Sequence, residues 1–210
     1  MITSFTQNPK AVVAAEGSAG INETGAYVVT IKQCETEEKP SGAQMVNFWL
    51  VADDGRESWS NLCIVSKDGK ETWGMGLLQS LMVVTSVQNA QAHSARVRMR
   101  NGDIKENGFR IREVEGKKAG VVLQRENTTY VDQSGIQRDS YRMNIFRFFN
   151  PQTRQTASEM IANADAVKLD GLLKTLKDKN PKPAQGAQGY QAPHPAEQPP
   201  IEILDEDIPI

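Results

Sequence analysis

Hydrophobic and polar positions along much of the first 150 residues follow the period of two that a half-buried strand requires. Residues 26–33 (AYVVTIKQ) follow Gly25 and are rich in β-branched side chains, which fit a pleated surface. Residues 43–53 alternate: Val46, Phe48 and Leu50 fall on one face, Asn47 and Trp49 on the other. The turn Asp53-Asp54-Gly55 then leads into residues 57–66, which predicts a hairpin. Residues 94–100, 109–114, 119–126 and 140–149 complete the predicted strands.

Two segments change period. In residues 73–87, Leu77, Leu78, Leu81, Met82 and Thr85 fit a helical stripe, although Val83, Val84 and Val87 are β-branched. This predicts a helix between two groups of strands, with Trp73 at its start assigned to the core. Further on, Thr156 and Glu159 have capping-box spacing, and Leu169, Leu172, Leu173 and Leu176 form an i, i+3, i+4, i+7 stripe. They predict one C-terminal helix, with Asp165 and Gly171 as its weak points, ending in a lysine-rich turn before Asn180-Pro181. The expected fold is mainly β: an OB-like barrel with one inserted helix, a C-terminal helix and a disordered acidic tail. The pattern alone fits other small β-barrels equally well.

The periodicity stops near Asn180. Residues 180–200 read NPKPAQGAQGYQAPHPAEQPP, with six of the ten prolines and no Leu, Ile, Val or Phe. Such a segment cannot bury enough apolar surface to offset its ordering entropy, so a flexible linker is expected. Apolar residues return beside acids in IEILDEDIPI. The predicted organisation is a binding domain over residues 1–179, a linker over 180–200 and an acidic tail over 201–210.

Charge sharpens this division. The chain carries 24 basic and 26 acidic residues, a net charge of -2. Five of those acids, Glu197, Glu202, Asp205, Glu206 and Asp207, lie in the last 14 residues, where no Lys or Arg occurs. Residues 1–95 hold 6 basic against 10 acidic groups, whereas residues 96–125 hold 9 against 4. A polyanion-binding face with a separate acidic tail produces such asymmetry. The N-terminus has no apolar run behind a basic start, and no stretch approaches the roughly 20 apolar residues needed to cross a bilayer. A soluble, cytoplasmic protein is expected, with no membrane partner. Cys34 and Cys63 lack metal-ligand spacing and are expected to be buried, reduced thiols.

The candidate chemistry lies in arginines and aromatic rings. In S-A-R-V-R-M-R, alternation places Arg96, Arg98 and Arg100 on one face and Val97 and Met99 on the other. Arg110 and Arg112 repeat the arrangement, and Lys117, Lys118 and Arg125 follow closely. Arginine suits such a row because its planar fork grips phosphate and its face stacks on a base. A solvated outer face would look the same. Trp49 stands opposite the apolar side of its strand, and Trp59 sits among polar neighbours in S-W-S-N. In YRMNIFRFF, Arg142 and Arg147 interleave with Phe146 and Phe148. For any one of these rings core packing is the favoured reading, but the collection is more persuasive than its members, because single-strand binders use such rings as stacking platforms.

An enzyme is disfavoured. The only histidines are His93 and His194, and there is neither a Walker-type phosphate loop nor a GxGxxG. No catalytic residue, metal or other cofactor is expected.

Two segments resemble known families. The terminal LDEDIPI resembles the tail of bacterial single-stranded-DNA-binding proteins, where aspartates precede Ile-Pro-Phe after a Pro/Gly/Gln-rich linker. In that family the tail docks into pockets on replication and repair enzymes. The resemblance implies that Asp205, Glu206 and Asp207 make acidic contacts and that Ile208, Pro209 and Ile210 form an apolar plug. Ile210 stands where the family has Phe. GAYVVTIKQ, GKKAGVVLQRE and IFRFFNPQTRQTASEM resemble a family of phage proteins regarded as single-stranded-DNA-binding OB-folds, over about residues 20–165. That resemblance implies the OB-fold, the DNA ligand and a role in phage replication or recombination.

The resulting expectation is sequence-tolerant binding of single-stranded DNA, with replication or recombination proteins recruited by the tail. The rival is a β-barrel adaptor or structural protein that binds no DNA and whose tail docks another protein. The sequence leaves oligomeric state open, homo-oligomers included.

Overall fold

The computed structural model describes residues 20–180. Residues 1–19, the predicted linker beyond Asn180 and the whole predicted tail, with Asp205, Glu206, Asp207, Ile208, Pro209 and Ile210, lie outside the described residues.

The described part is mainly β. Seven strands, β1 (Gly25–Glu38), β2 (Gln44–Ala52), β3 (Glu57–Val65), β4 (Ala92–Arg98), β5 (Ile104–Ile111), β6 (Lys118–Val131) and β7 (Gln137–Phe149), form one antiparallel sheet. Three helices accompany it: α1 (Trp73–Val84), α2 (Ala157–Ile161) and α3 (Lys168–Thr175). β1 is the spine. One of its edges pairs with β2 from Val29↔Ala52 to Glu38↔Gln44. The other edge is shared end to end by β6, from Gly25↔Leu123 to Thr30↔Lys118, and by β5, at Glu35↔Arg110 and Thr36↔Phe109. Between them the β5–β6 loop bonds Ile31 directly, through Gly116 N–H at 2.7 Å and the Lys117 carbonyl at 3.0 Å. The sheet is open. β3 and β7 lie against each other, but among the described residues no ladder joins them.

The predicted β2–β3 hairpin is present, and Gly55 at φ +87° supplies the left-handed residue of its turn. The core is built from the alternate residues of these strands. Val46, Phe48 and Leu50 of β2 are fully buried with Val29, Ile31, Leu81 and Phe148, and Phe48 meets Phe148 at 6.1 Å between ring centroids. α1 covers this core with Leu77, Leu78, Leu81 and Val84, packing on β3 and β7. Gly74 permits the close approach, since a Cβ there would collide with the Cys63 carbonyl. A smaller cluster of Val122, Phe149 and Leu169 sits beneath α3, supported by Leu172, Leu173 and Leu176.

Several expectations are corrected. The single C-terminal helix is two short ones, broken after the capping box where Asn163 takes φ 49°. The leucine stripe belongs to α3 and its C-cap, Leu176. Trp73 is not core: it is 62% exposed and meets Phe146 edge-on at 6.0 Å. Met99 is exposed because β4 ends at Arg98 and the chain turns. Cys34 is buried as expected, and burial pushes its thiol up, but Cys63 is only half-buried. β6 and β7 run past their predicted ends into a ribbon whose ladder reaches Val131↔Gln137. No helix among the described residues is long and apolar enough to cross a membrane.

Candidate nucleic-acid interface

The face of β1–β3 opposite the core carries the features of a site. Trp49 on β2 is the direct cross-strand partner of Trp59 on β3. Both are half-buried, and their rings stack 5° from parallel with centroids 5.4 Å apart. Glu57 fixes the first ring by accepting a bond from its indole N–H at 2.9 Å. From the β1 side, β4 brings the Arg98 guanidinium to 4.7 Å from the Trp49 ring centroid. A cation and two indoles thus lie together on one sheet face.

Two hollows flank the stack, and Trp59 and Arg100 line both. One, of about 330 Å³, extends past Asn47, Asn61 and Arg98 to Lys39 and Lys105. The other, of about 270 Å³, extends towards Gly20, Tyr141 and Arg142. Five basic residues and three acids, Glu35, Glu37 and Glu57, line the pair. Most of that charge is already matched. Lys39 holds the Glu37 carboxyl below its ordinary range from 2.8 Å, against partial burial and with help from Asn47. Lys105 lies 3.3 Å from Glu35, and Arg142 lies 2.7 Å from Glu126. Arg98 and Arg100 make no ion pair with a described residue.

The structure therefore gathers Trp49, Trp59, Arg98, Arg100 and Arg142 out of the sequence-predicted set. The others lie elsewhere. Arg96 is exposed and bonded to Glu106 at 2.7 Å, so the predicted three-arginine row is broken. The physical reason is that Glu106 on β5 engages Arg96 and that β4 ends at Arg98, so Arg100 lies beyond the strand. Arg110 is half-buried and bidentate to Glu115, both bonds being 2.7 Å. It is a structural clamp, because Glu115 also accepts the Cys34 backbone N–H at 2.9 Å. Arg125 is held by Asn127 at 2.7 Å and the Asn22 carbonyl at 3.1 Å, over the Tyr141 ring. Lys118 pairs with Asp53 at 2.8 Å. Arg112 and Lys117 are exposed in the β5–β6 loop, and Arg147 is half-buried opposite Val122. Phe148 is fully buried against Phe48, which removes it from any ligand face, and Phe146 is engaged with Trp73.

Lys39 and Lys105 escaped the sequence reading. Lys39 follows the end of β1 and Lys105 lies in a part of β5 not predicted as strand, so neither shared a segment with the arginines. Asn47 and Asn61 had a usable signal, since alternation places each two residues from a tryptophan on the same face. No protein-family model and no curated protein matches the chain.

Proposed function

We propose that this protein binds single-stranded DNA with little base preference and without catalysis, in phage DNA replication or recombination in the host cytoplasm. The observation that carries the reading is the Trp49–Trp59 stack with Arg98 over it and Arg100 beside it. Aromatic faces accept any base, and arginines that no carboxylate among the described residues engages can track phosphates. The strand arrangement supports a finer assignment. With β4–β5 set aside as an added hairpin, the order β3-β2-β1-β6-β7, with β7 lying against β3, fits a five-stranded, partly open OB barrel. In OB-folds the ligand face is that of the second and third strands, flanked by the first and last hairpin loops. Here those strands carry Trp49 and Trp59.

The acidic tail is assigned to recruitment of replication or recombination proteins. A pull-down with a peptide ending in Ile-Pro-Ile against one ending in Ala-Ala-Ala tests this separately. The rival reading, an adaptor that binds no DNA, is favoured by the three carboxylates in the groove. Titration of a fluorescent dT oligonucleotide against the same-length duplex decides between them. Tighter binding to the single strand is expected; equal or tighter binding to duplex overturns the proposal.

A further inference from the structure

β1 carries a register shift at Lys32. Ile31 pairs with Leu50, but Gln33 and not Lys32 stands opposite Trp49. Gln33 is only 3% exposed, and its carboxamide faces the main chain of Arg98. Nε2 donates to the Arg98 carbonyl at 2.9 Å, and Oε1 accepts the Arg98 backbone N–H at 2.9 Å. A glutamine side chain offers one donor and one acceptor in one plane. It thereby supplies the two-bond bridge a neighbouring strand would have supplied, at a place where no ladder joins β4 to β1 among the described residues. The residue it grips is the one whose guanidinium lies 4.7 Å from the Trp49 ring centroid.

We propose that Gln33 is a positioning residue of this groove: by clamping the Arg98 main chain it sets the guanidinium over Trp49 before single-stranded DNA arrives. The effect on affinity rests on the single-strand reading above; the geometry does not. The gain is preorganisation, because a cation already in place loses less freedom on binding. Gln33→Met fills the same space without either bond. Gln33→Glu keeps an acceptor for the Arg98 N–H and leaves its carbonyl without a donor.

The test uses the full chain as wild type, Q33M, Q33E, R98A and the double variant Q33M/R98A. The first readout needs no DNA. Proton NMR should show the Arg98 δ-methylene and Nε–H resonances shifted upfield by the Trp49 ring in wild type, an effect lost in Q33M and reduced in Q33E. The second is affinity for a dT oligonucleotide. Q33M and R98A should each weaken it about 5-fold to 10-fold, and the double variant should bind no worse than R98A. An upfield shift that persists in folded Q33M overturns the inference, as does a double variant whose loss is the product of the two single losses. If wild type binds no single strand, the functional reading falls while the Arg98 shift still decides the role of Gln33. Should Q33M fail to fold, an unchanged shift in Q33E overturns the inference.

Discussion

Trp49 and Trp59 are direct cross-strand partners whose rings stack 5.4 Å apart, yet the two indoles are not equivalent. Trp49 has Arg98 over it and its N–H committed to Glu57, whereas Trp59 borders both hollows. Trp59 is therefore the ring with a face to offer a base, and Trp49 is its backing. Trp59→Ala should cost about 1–3 kcal/mol of single-strand affinity, with Trp59→Phe recovering most of it. Titration at fixed salt checks this, with near-UV circular dichroism confirming that the variants fold. An alanine variant that binds like wild type would remove Trp59 from the interface.

Salt dependence should be shallow. With only Arg98 and Arg100 in the groove free of ion pairs among the described residues, log K should fall with log[salt] at a slope of roughly -1.4, about 0.7 per neutralised phosphate. Raising salt from 50 to 200 mM then weakens binding only about 7-fold. Arg98→Ala with Arg100→Ala should flatten the slope almost completely. A wild-type slope of about -3 or steeper would mean that more cations reach phosphate than the groove provides.

Arg110 should behave oppositely to Arg100. It clamps Glu115, whose carboxylate also receives the Cys34 N–H, so its loss strands a carboxylate that is mostly shielded from water. Arg110→Ala should lower folding stability by roughly 1–3 kcal/mol and leave the salt slope of DNA binding unchanged. Denaturant melts and the titration above measure the two effects independently. A stable variant with a flattened slope would return Arg110 to the binding surface.

What could be read from the sequence followed from local rules. Alternation places Phe48 inward and Trp49 outward, and the Asp53-Asp54-Gly55 turn predicts the hairpin that makes Trp49 and Trp59 neighbours. The Thr156–Glu159 capping box was legible for the same reason. Register shifts were not legible, because one extra residue reverses which side chains share a face. That at Lys32 puts Gln33 beside Trp49. Ion pairing was invisible too: Arg110 and Arg100 look alike in a sequence, and only tertiary contact gives one of them a carboxylate.

Glu159 offers a test of the scaffold through pH. The residue is 2% exposed, and burial pushes its pKa up, but bonds from the backbone amides of Thr156, Lys168 and Val167 and from the Thr156 hydroxyl outweigh burial. The carboxyl is held at about 2, well below the value of about 4.3 expected in the unfolded chain. A folded pKa below the unfolded one means that the unfolded chain binds the proton more readily. The contribution is therefore complete above about pH 5 and is lost as pH falls towards 2. Because Glu126 is also held at about 2, first by Arg142 and then by Lys179 and Asn144, the acid response of wild type mixes at least these two groups. The difference between wild type and Glu159→Gln isolates one of them. At pH 7 the variant should be less stable by about 1–3 kcal/mol, since the amide can accept fewer of the bonds that join α2 to the start of α3. That deficit should shrink steadily between pH 5 and pH 2.5 in denaturant melts. A deficit that stays constant over this range would show that Glu159 is not the charged hub of the α2–α3 junction.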